Sequence, residues 1–446
     1  MSTPAPPTPN KPPLETKTTV GNYFVSNYPP FSFWKKESLP EIEAAMEREP
    51  AVDTPLGVYA HIPFCRKRCH FCYFRVYTDK NAESIRSYLD AMLKELTIYV
   101  NKPFIGGRKP SFVYFGGGTP SYLSSSQLFH LTDGMKGLLP WDEVKEVTFE
   151  CEPGTLTNKK LKTLHEIGVT RLSLGVENFD DHILEINGRA HRGGEIDRAY
   201  GYAREVGFKQ INIDLIAGML DETEDNWKAC VAKAIEMAPD SITVYQMEVP
   251  YNTTIYKRMK EEGKLAAPVA DWDTKRRWTD YAYNELAKNG YTVTSAYTAV
   301  KDSSKVTFEY RDQLWAGADL LSVGVASFGH IGGTHYQNHH DFDPYVEQLG
   351  NGDLPVHRAL TPGDDERLIR EFVLQLKLGS VSLQYFTDKF GTNPADRFAE
   401  PLQRIADWGF LTIEGDRVNI NREGLLQVDR LLHEFFLPEH RNARYA

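Results

Sequence analysis

The chain has 446 residues, which leaves room for two to four domains of ~100–200 residues and a large core. Hydrophobic residues make up 41% and charged ones 25%, an ordinary globular balance, and no run of ~18 apolar residues offers a membrane span. Lys and Arg number 51 against 61 Asp and Glu, a net charge of −10, which argues against bulk nucleic-acid binding while leaving room for a local basic pocket.

Residues 1–18 read as a Pro-rich disordered tail, with no apolar stretch behind a basic end, so no secretory signal is expected. Residues 19–56 form an aromatic arm. Its run GNYFVSNYPPFSFW (21–34) is too irregular for a helix and reads as a strap on the body or a lid near a pocket. From residue 57 strands and helices alternate. GVYAHI (57–62), SFVYF (111–115), VTFECE (147–152), RLSLGVE (171–177), INIDLIAG (211–218) and SITVYQM (241–247) are strand candidates. Between the first two, residues 81–99 space Ile85, Tyr88, Leu89, Met92, Leu93 and Leu96 along one helix face. Helices are also expected over 158–167 and 224–237. Six βα units predict an α/β fold, a full or partial (β/α)6 TIM-like barrel over 57–290, with its chemistry on the loops after the strands. Residues 291–361 break the pattern and add strands with Gly turns. Residues 362–446 hold helices over 364–377 and 396–407, a hairpin about Glu414-Gly415-Asp416 and a last helix through LLQVDRLLHEFF. That C-terminal part is helical and winged-helix-like, without the Lys/Arg cluster of a DNA-recognition helix.

Five cysteines are present: Cys65, Cys69, Cys72, Cys151 and Cys230. An odd number with three close together is no secreted disulfide framework and points to a reducing, cytoplasmic setting. Cys65, Cys69 and Cys72 form Cx3Cx2C in the loop after the first strand. Three thiolates so spaced suit three irons of a [4Fe–4S] cube, leaving the fourth iron open. A zinc knuckle with His70 or His61 as fourth ligand is the alternative, but zinc sites usually pair two CxxC units and no second pair exists. Gly116-Gly117-Gly118-Thr119-Pro120 ends the second strand, where glycines let backbone approach a ligand closely. It matches neither a P-loop nor GxGxxG. His330, His335, His339 and His340 lie on turn-rich sequence with no acidic support and are not read as a metal site. Cys151 and Cys230 read as core residues of a strand and a helix.

From Tyr59 onward, YAHIPFC, FGGGTP, LSLGVENF, INIDLIAG, VGVASFG and HYQN stand in one order. On these motifs the chain resembles the radical S-adenosylmethionine (AdoMet) superfamily. More narrowly it resembles the oxygen-independent coproporphyrinogen III oxidase/dehydrogenase family, which includes heme chaperones and class C radical methyltransferases and cyclopropanases. The resemblance implies one [4Fe–4S] cluster and one or two AdoMet. Reductive cleavage of AdoMet to a 5′-deoxyadenosyl radical would then attack a tetrapyrrole-like or other apolar small molecule. It also implies an electron donor such as flavodoxin or ferredoxin, and a monomer. Carried over, Cys65, Cys69 and Cys72 hold the cluster. Tyr59, Phe71, Gly117, Gly118, Thr119, Glu150, Glu177, Arg189, Asp214, Glu248 and Phe328 form the AdoMet site, with Glu177 also catalytic. Bland readings stand beside some of these: a surface ion pair for Arg189, a core aromatic for Phe328, and a plain Glu177–Arg189 pair. Two departures count against the coproporphyrinogen branch, and the first matches the chaperone and methyltransferase branches. Phe74 stands where the porphyrinogen dehydrogenases have a further cysteine, and Glu177 stands where Gln is common.

Overall fold

The computed structural model describes residues 17–19, 21, 23–51, 53–264, 268–441 and 443, so most of the expected tail lies outside the described residues. Six parallel strands form its centre: β1 (Leu56–Ile62), β2 (Pro110–Gly117), β3 (Glu146–Cys151), β4 (Arg171–Glu177), β5 (Gln210–Ala217) and β6 (Ser241–Gln246). They pair in consecutive order. Each right-handed crossover then adds its strand on the same side, which puts every connecting helix on one face and leaves the other face turned inward. The strand sequences obey this split. Val58, Ala60 and Ile62 of β1 and Ile211, Ile213 and Leu215 of β5 join the core under the helices. The alternate positions carry Tyr59, His61, Asn212 and Asp214, a polar interior in which a site can be built.

The helix Ala82–Val100 starts at Asn81, whose side chain accepts the Ser84 N–H, and buries Ile85, Tyr88, Leu89, Met92 and Leu96. Leu93 of the expected face is only half-buried. The sheet does not close. Beyond β6 lie the short strands β7 (Thr292–Val293) and β8 (Thr298–Val300), with β8 antiparallel to β6. Beyond β1 lie β9 (Asp319–Val323), parallel to it, and then β10 (Phe328–Ile331), β11 (Thr334–Asn338) and β12 (Val356–Leu360). The partial barrel is therefore one open sheet of 12 strands, and residues 291–361 extend both of its edges.

The C-terminal part has its own apolar cluster around Phe372, Phe386, Phe398 and Phe435. Its wing has three strands, β13 (Ser380–Ser382), β14 (Leu411–Glu414) and β15 (Arg417–Ile420), of which β13 was not expected. Two expected helices are broken. The helix over 396–407 splits into Pro394–Arg397 and Ala399–Asp407, because Phe398 leaves helical geometry at φ −114° and ψ 27°. The last helix splits into Arg422–Leu425 and Val428–Leu432 about Gln427, at φ −136° and ψ 23°. The arm carries an unforeseen helix, Leu39–Met46, and Lys35 bridges to Ala359 of β12. The tail gives way to ordered chain before residue 19: Thr18 is buried, donates to the Ala270 carbonyl at 2.8 Å and accepts from Lys275 Nζ at 2.7 Å. No helix among the described residues is long and apolar enough to cross a membrane.

Candidate active site

A cavity of about 900 Å³ opens at the C-terminal ends of the parallel strands. The loop after β1 supplies Cys65, Cys69, Phe71 and Cys72 to its wall. The loop is fixed by its backbone: Cys65 N–H donates to Tyr77 O at 3.1 Å, Cys72 N–H to Cys69 O at 3.2 Å and His70 N–H to Asn187 O at 2.9 Å. Two donors reach the sulfurs. Thr119 Oγ1 lies 3.3 Å from Cys65 Sγ, and Arg189 Nη1 lies 3.3 Å from Cys69 Sγ. Gly118 packs so closely that an added Cβ would stand 3.1 Å from Cys65 Sγ and 2.9 Å from the Pro63 carbonyl carbon. Gly117 has φ +112°, and a Cβ there would meet the His61 ring at 2.6 Å. The glycine loop is thus shaped to let the cysteine loop lie against it.

Among the described residues no three His, Cys, Asp or Glu side chains converge on a single metal ion. A cube takes one thiolate per iron and so spaces its ligands more widely than one zinc ion does. The donor set fits a cube. His61 Nδ1 is 3.1 Å from the Tyr59 hydroxyl, and His70 Nδ1 is 2.8 Å from the Ile186 carbonyl. Burial pushes the Cys65 thiol up to about 11 and Cys72 to about 12, so a cationic centre is needed to hold them as thiolates.

Three carboxylates face the same space from adjacent strands. Glu150 of β3 accepts from the Tyr114 hydroxyl at 2.7 Å and the Gly117 N–H at 3.1 Å. Burial pushes it up to about 7. Asp214 accepts from Ser173 Oγ at 3.0 Å and Asn212 Nδ2 at 2.8 Å, and burial raises it too. It sits in the middle of β5 and reaches the cavity because its position faces inward. Glu177 ends β4 just after a register shift and adopts φ +65°, a left-handed conformation costing a non-glycine residue ~1 kcal/mol or more. The twist turns its carboxylate toward Arg189, whose Nη2 is 3.6 Å away. Burial pushes Glu177 to about 7 against the pull of that guanidinium. Arg189 is buried, not a surface partner. It also donates to the Gly175 carbonyl, and so ties Glu177 to the cluster loop. Across the cavity Glu248 accepts from the Tyr23 N–H at 3.2 Å and is pushed by burial to about 8.

Two expected members stand elsewhere. Tyr59 lies one side-chain layer below the cavity, with its ring 5.9 Å from that of Tyr114. It sits too early on β1 to reach the strand's end. Phe328 opens β10 and packs under the arm, with ring centroids 4.3 Å from Phe31 and 5.6 Å from Trp34. β10 lies two strands outside β1, away from the barrel mouth. That packing is what the core-aromatic reading of Phe328 describes. Other wall residues were missed. Arg66 is 3.1 Å from Glu152, which is also 3.1 Å from His191 Nδ1. Glu152 stands in FECEP beside Glu150, so the motif carried that signal. Tyr23 and Phe24 of the arm line the cavity, as do Gln427, Asp429, Arg430 and Arg441 of the C-terminal part. No sequence pattern marks those four.

A cysteine loop after the first strand, a glycine loop after the second and carboxylates on the next three define a radical AdoMet barrel. The model of the Radical SAM superfamily matches residues 59–234, and that of the HemN C-terminal domain matches residues 364–426. The heme chaperone HemW of Haemophilus influenzae is 30% identical over 62% of this chain and 70% of its own. HemW of Bacillus subtilis is 28% identical over 85% of this chain and 98% of its own. The oxygen-independent coproporphyrinogen III oxidase of Helicobacter pylori is 25% identical over 85% and 86%. The solved structure of HemN, the coproporphyrinogen III oxidase of Escherichia coli, shares the fold at a TM-score of 0.80 and 23% identity, covering 94% of this chain and 99% of that one. The chain belongs to the HemN/HemW family of the radical SAM superfamily, and its cofactors are a [4Fe–4S] cluster and AdoMet.

Proposed function

We propose that this protein is a radical AdoMet enzyme acting on a flat, carboxylate-bearing, tetrapyrrole-like molecule, with its cluster on Cys65, Cys69 and Cys72. The observation that carries this reading is one continuous cavity of about 900 Å³, running from the cysteine loop to Arg276, Arg430 and Arg441. That volume is at the upper end for small-molecule sites and leaves room for a second ligand beside AdoMet. A cluster held by Cys65, Cys69 and Cys72 and an AdoMet beside it would supply one-electron chemistry for abstracting hydrogen.

The chain's own residues do the rest. Thr119 and Arg189 aim donors at two sulfurs and so favour their thiolate state. Glu150, Glu177 and Asp214 gather negative charge that a cationic sulfonium and ammonium would relieve. Gly117 and Gly118 offer backbone to AdoMet without side chains in the way. Phe71, Tyr245 and Tyr297 give an apolar wall, and the three arginines can hold carboxylates in bidentate forks. Tyr23 and Phe24 cover the mouth and help exclude water. Five free cysteines fit a reducing cytoplasm.

A second reading is a heme chaperone that keeps the cluster, favoured by Phe74 in place of a further cysteine. One assay separates the readings. Anaerobically reconstituted protein is given AdoMet, a reductant and coproporphyrinogen III. The enzyme reading expects 5′-deoxyadenosine with carbon dioxide. S-adenosylhomocysteine beside 5′-deoxyadenosine would transfer the assignment to radical methylation. Tight heme retention with no AdoMet cleavage would overturn the enzyme reading in favour of the chaperone.

A further inference from the structure

Glu150 is held from below. The inward positions of β2 are Phe112, Tyr114 and Gly116, and Tyr114 stands under the cavity rather than in its wall. Its hydroxyl donates to Glu150 Oε1 at 2.7 Å, and the Gly117 N–H donates to Oε2 at 3.1 Å. Both oxygens are thus engaged from the protein side, and Glu150 keeps further lone pairs for the cavity it lines. Gly116 makes room for this. A Cβ there would stand 2.8 Å from the Tyr114 ring and 3.1 Å from both Glu150 Oε1 and the Tyr59 ring.

The Tyr114 ring is itself fixed. Its centroid lies 4.3 Å from that of Tyr310 and 5.9 Å from that of Tyr59, and Tyr310 lies 5.7 Å from Phe112. Tyr310 belongs to the helix Glu309–Trp315, which packs against the N-terminal ends of the strands. There the Glu309 N–H donates to Glu146 Oε2 at 3.1 Å, and Gln313 accepts from Ser111. The charges around Glu150 are unbalanced. Asp214 of β5 and Glu177 of β4 are carboxylates, and Arg171 at the foot of β4 is the cation that opposes them. The Cys151 thiol and the phenols of Tyr59, Tyr73, Tyr245 and Tyr310 complete its titratable neighbours, all held neutral by burial. Burial pushes Glu150 up to about 7, and Tyr114 is the largest of the influences that oppose it, ahead of Gly117 and Arg171.

We propose that Tyr114 is a positioning residue for AdoMet: its hydroxyl keeps Glu150 ionised and aimed into the cavity, where the carboxylate meets the cofactor's positive charge. The inference rests on the AdoMet site read above. Phenylalanine at 114 would fill the same space and keep the ring contacts, yet leave one oxygen of Glu150 without its donor. Glu150 would then hold its proton to higher pH, and its protonated form has no charge to offer. Near neutral pH this single hydroxyl sets how much of the protein is ready for AdoMet.

The test first titrates the Glu150 carboxyl by infrared difference spectroscopy, in reconstituted protein without AdoMet, with Glu150→Gln identifying its band. Wild type should lose the protonated band at about pH 7. Tyr114→Phe should lose it about one unit or more higher. AdoMet affinity is then measured by calorimetry from about pH 6.5 to about pH 9. Tyr114→Phe should bind about fivefold more weakly than wild type near neutral pH and within about twofold at the alkaline end. Tyr310→Phe keeps the ring column and removes no donor from Glu150, so it should titrate and bind as wild type does. In a Glu150→Gln background, Tyr114→Phe should change affinity by less than about twofold. A loss by the same factor at every pH would mean that Tyr114 only packs, and would overturn the inference, as would an unmoved carboxyl band. Wild-type affinity in Glu150→Gln would instead overturn the placement of Glu150 in the AdoMet site, and the infrared arm would still decide whether Tyr114 sets its charge.

Discussion

Glu95 lies wholly buried on the helix Ala82–Val100, where it accepts from the Gly324 N–H at 2.9 Å, Asn338 Nδ2 at 2.6 Å and the Tyr345 hydroxyl. Burial pushes it up to about 8 despite these donors. The folded protein therefore keeps a proton that the unfolded chain releases between the ordinary carboxyl range and about 8. Stability should fall as pH rises through that window and level off above it. Glu95→Gln removes the titration, so its melting temperature should decline less steeply than wild type between about pH 5.5 and about pH 8.5. An identical slope in the two proteins would show that Glu95 titrates normally. Glu177 makes a different prediction. Glu177→Gln keeps an acceptor for Arg189 and loses the charge, so AdoMet affinity should drop about tenfold with little change in melting temperature. Affinity that does not move would confine Glu177 to holding Arg189, and methyl-labelled AdoMet would then show no loss of methyl turnover in the variant.

At the scale of elements, β3 and the helix Glu224–Met237 carry the two cysteines outside the loop. Cys151 points into the core under the helices while its neighbour Glu150 points inward, and Cys230 is buried between helix and sheet. Cys151→Ala and Cys230→Ser should each keep about four irons per chain after anaerobic reconstitution, the content of one cube. Loss of iron from either would sink the three-cysteine assignment. These elements were readable because strand candidates were apolar, evenly spaced and separated by amphipathic stretches. The family resemblance names Glu150, Glu177 and Asp214; strand alternation accounts for Glu150 and Asp214 facing one space, whereas Glu177 turns into it through its left-handed twist after a register shift. What failed was local. Three-residue β13 is too short to leave a pattern, and the break at Phe398 answers to Pro401, whose ring opposes a helical carbonyl four residues back at Arg397. The resemblance also names Phe328, whose strand, added beyond β1, looks in sequence like one more strand of the barrel.

On the scale of the whole molecule, the cavity is closed by segments far apart in sequence, and no single-segment pattern could have shown them meeting. Asp429 accepts from the Val25 N–H at 2.8 Å and from the Tyr297 hydroxyl, and it pairs with Lys377 Nζ at 2.8 Å. Lys377 is fully buried, donates also to the Val25 carbonyl at 2.5 Å and lies 4.1 Å over the Phe24 ring. Lys377→Met leaves a carboxylate without its cation and should cost about 3 kcal/mol or more in denaturant unfolding. A loss under ~1 kcal/mol would mean that the seam is held by apolar packing instead. The arm is both strap and wall: Tyr28 is buried at 4.7 Å from Phe436, while Tyr23 and Phe24 face the cavity. Tyr23→Ala/Phe24→Ala should raise AdoMet cleavage uncoupled from product by at least ~2-fold, since water then reaches the site. Equal losses of cleavage and product would leave the arm a strap alone.

The seam at Asp429 also orders events during synthesis. The cysteine loop is complete by residue 72, whereas the carboxylate that fastens the arm is 404 positions beyond Val25. From residue 72 to Asp429 a ribosome takes on the order of tens of seconds. Throughout that interval the three thiols sit in a nascent chain whose mouth cannot be fastened, accessible to any iron carrier that reaches them. Maturation of the metal centre can thus precede completion of the chamber, and the arrival of Asp429 acts as the latch.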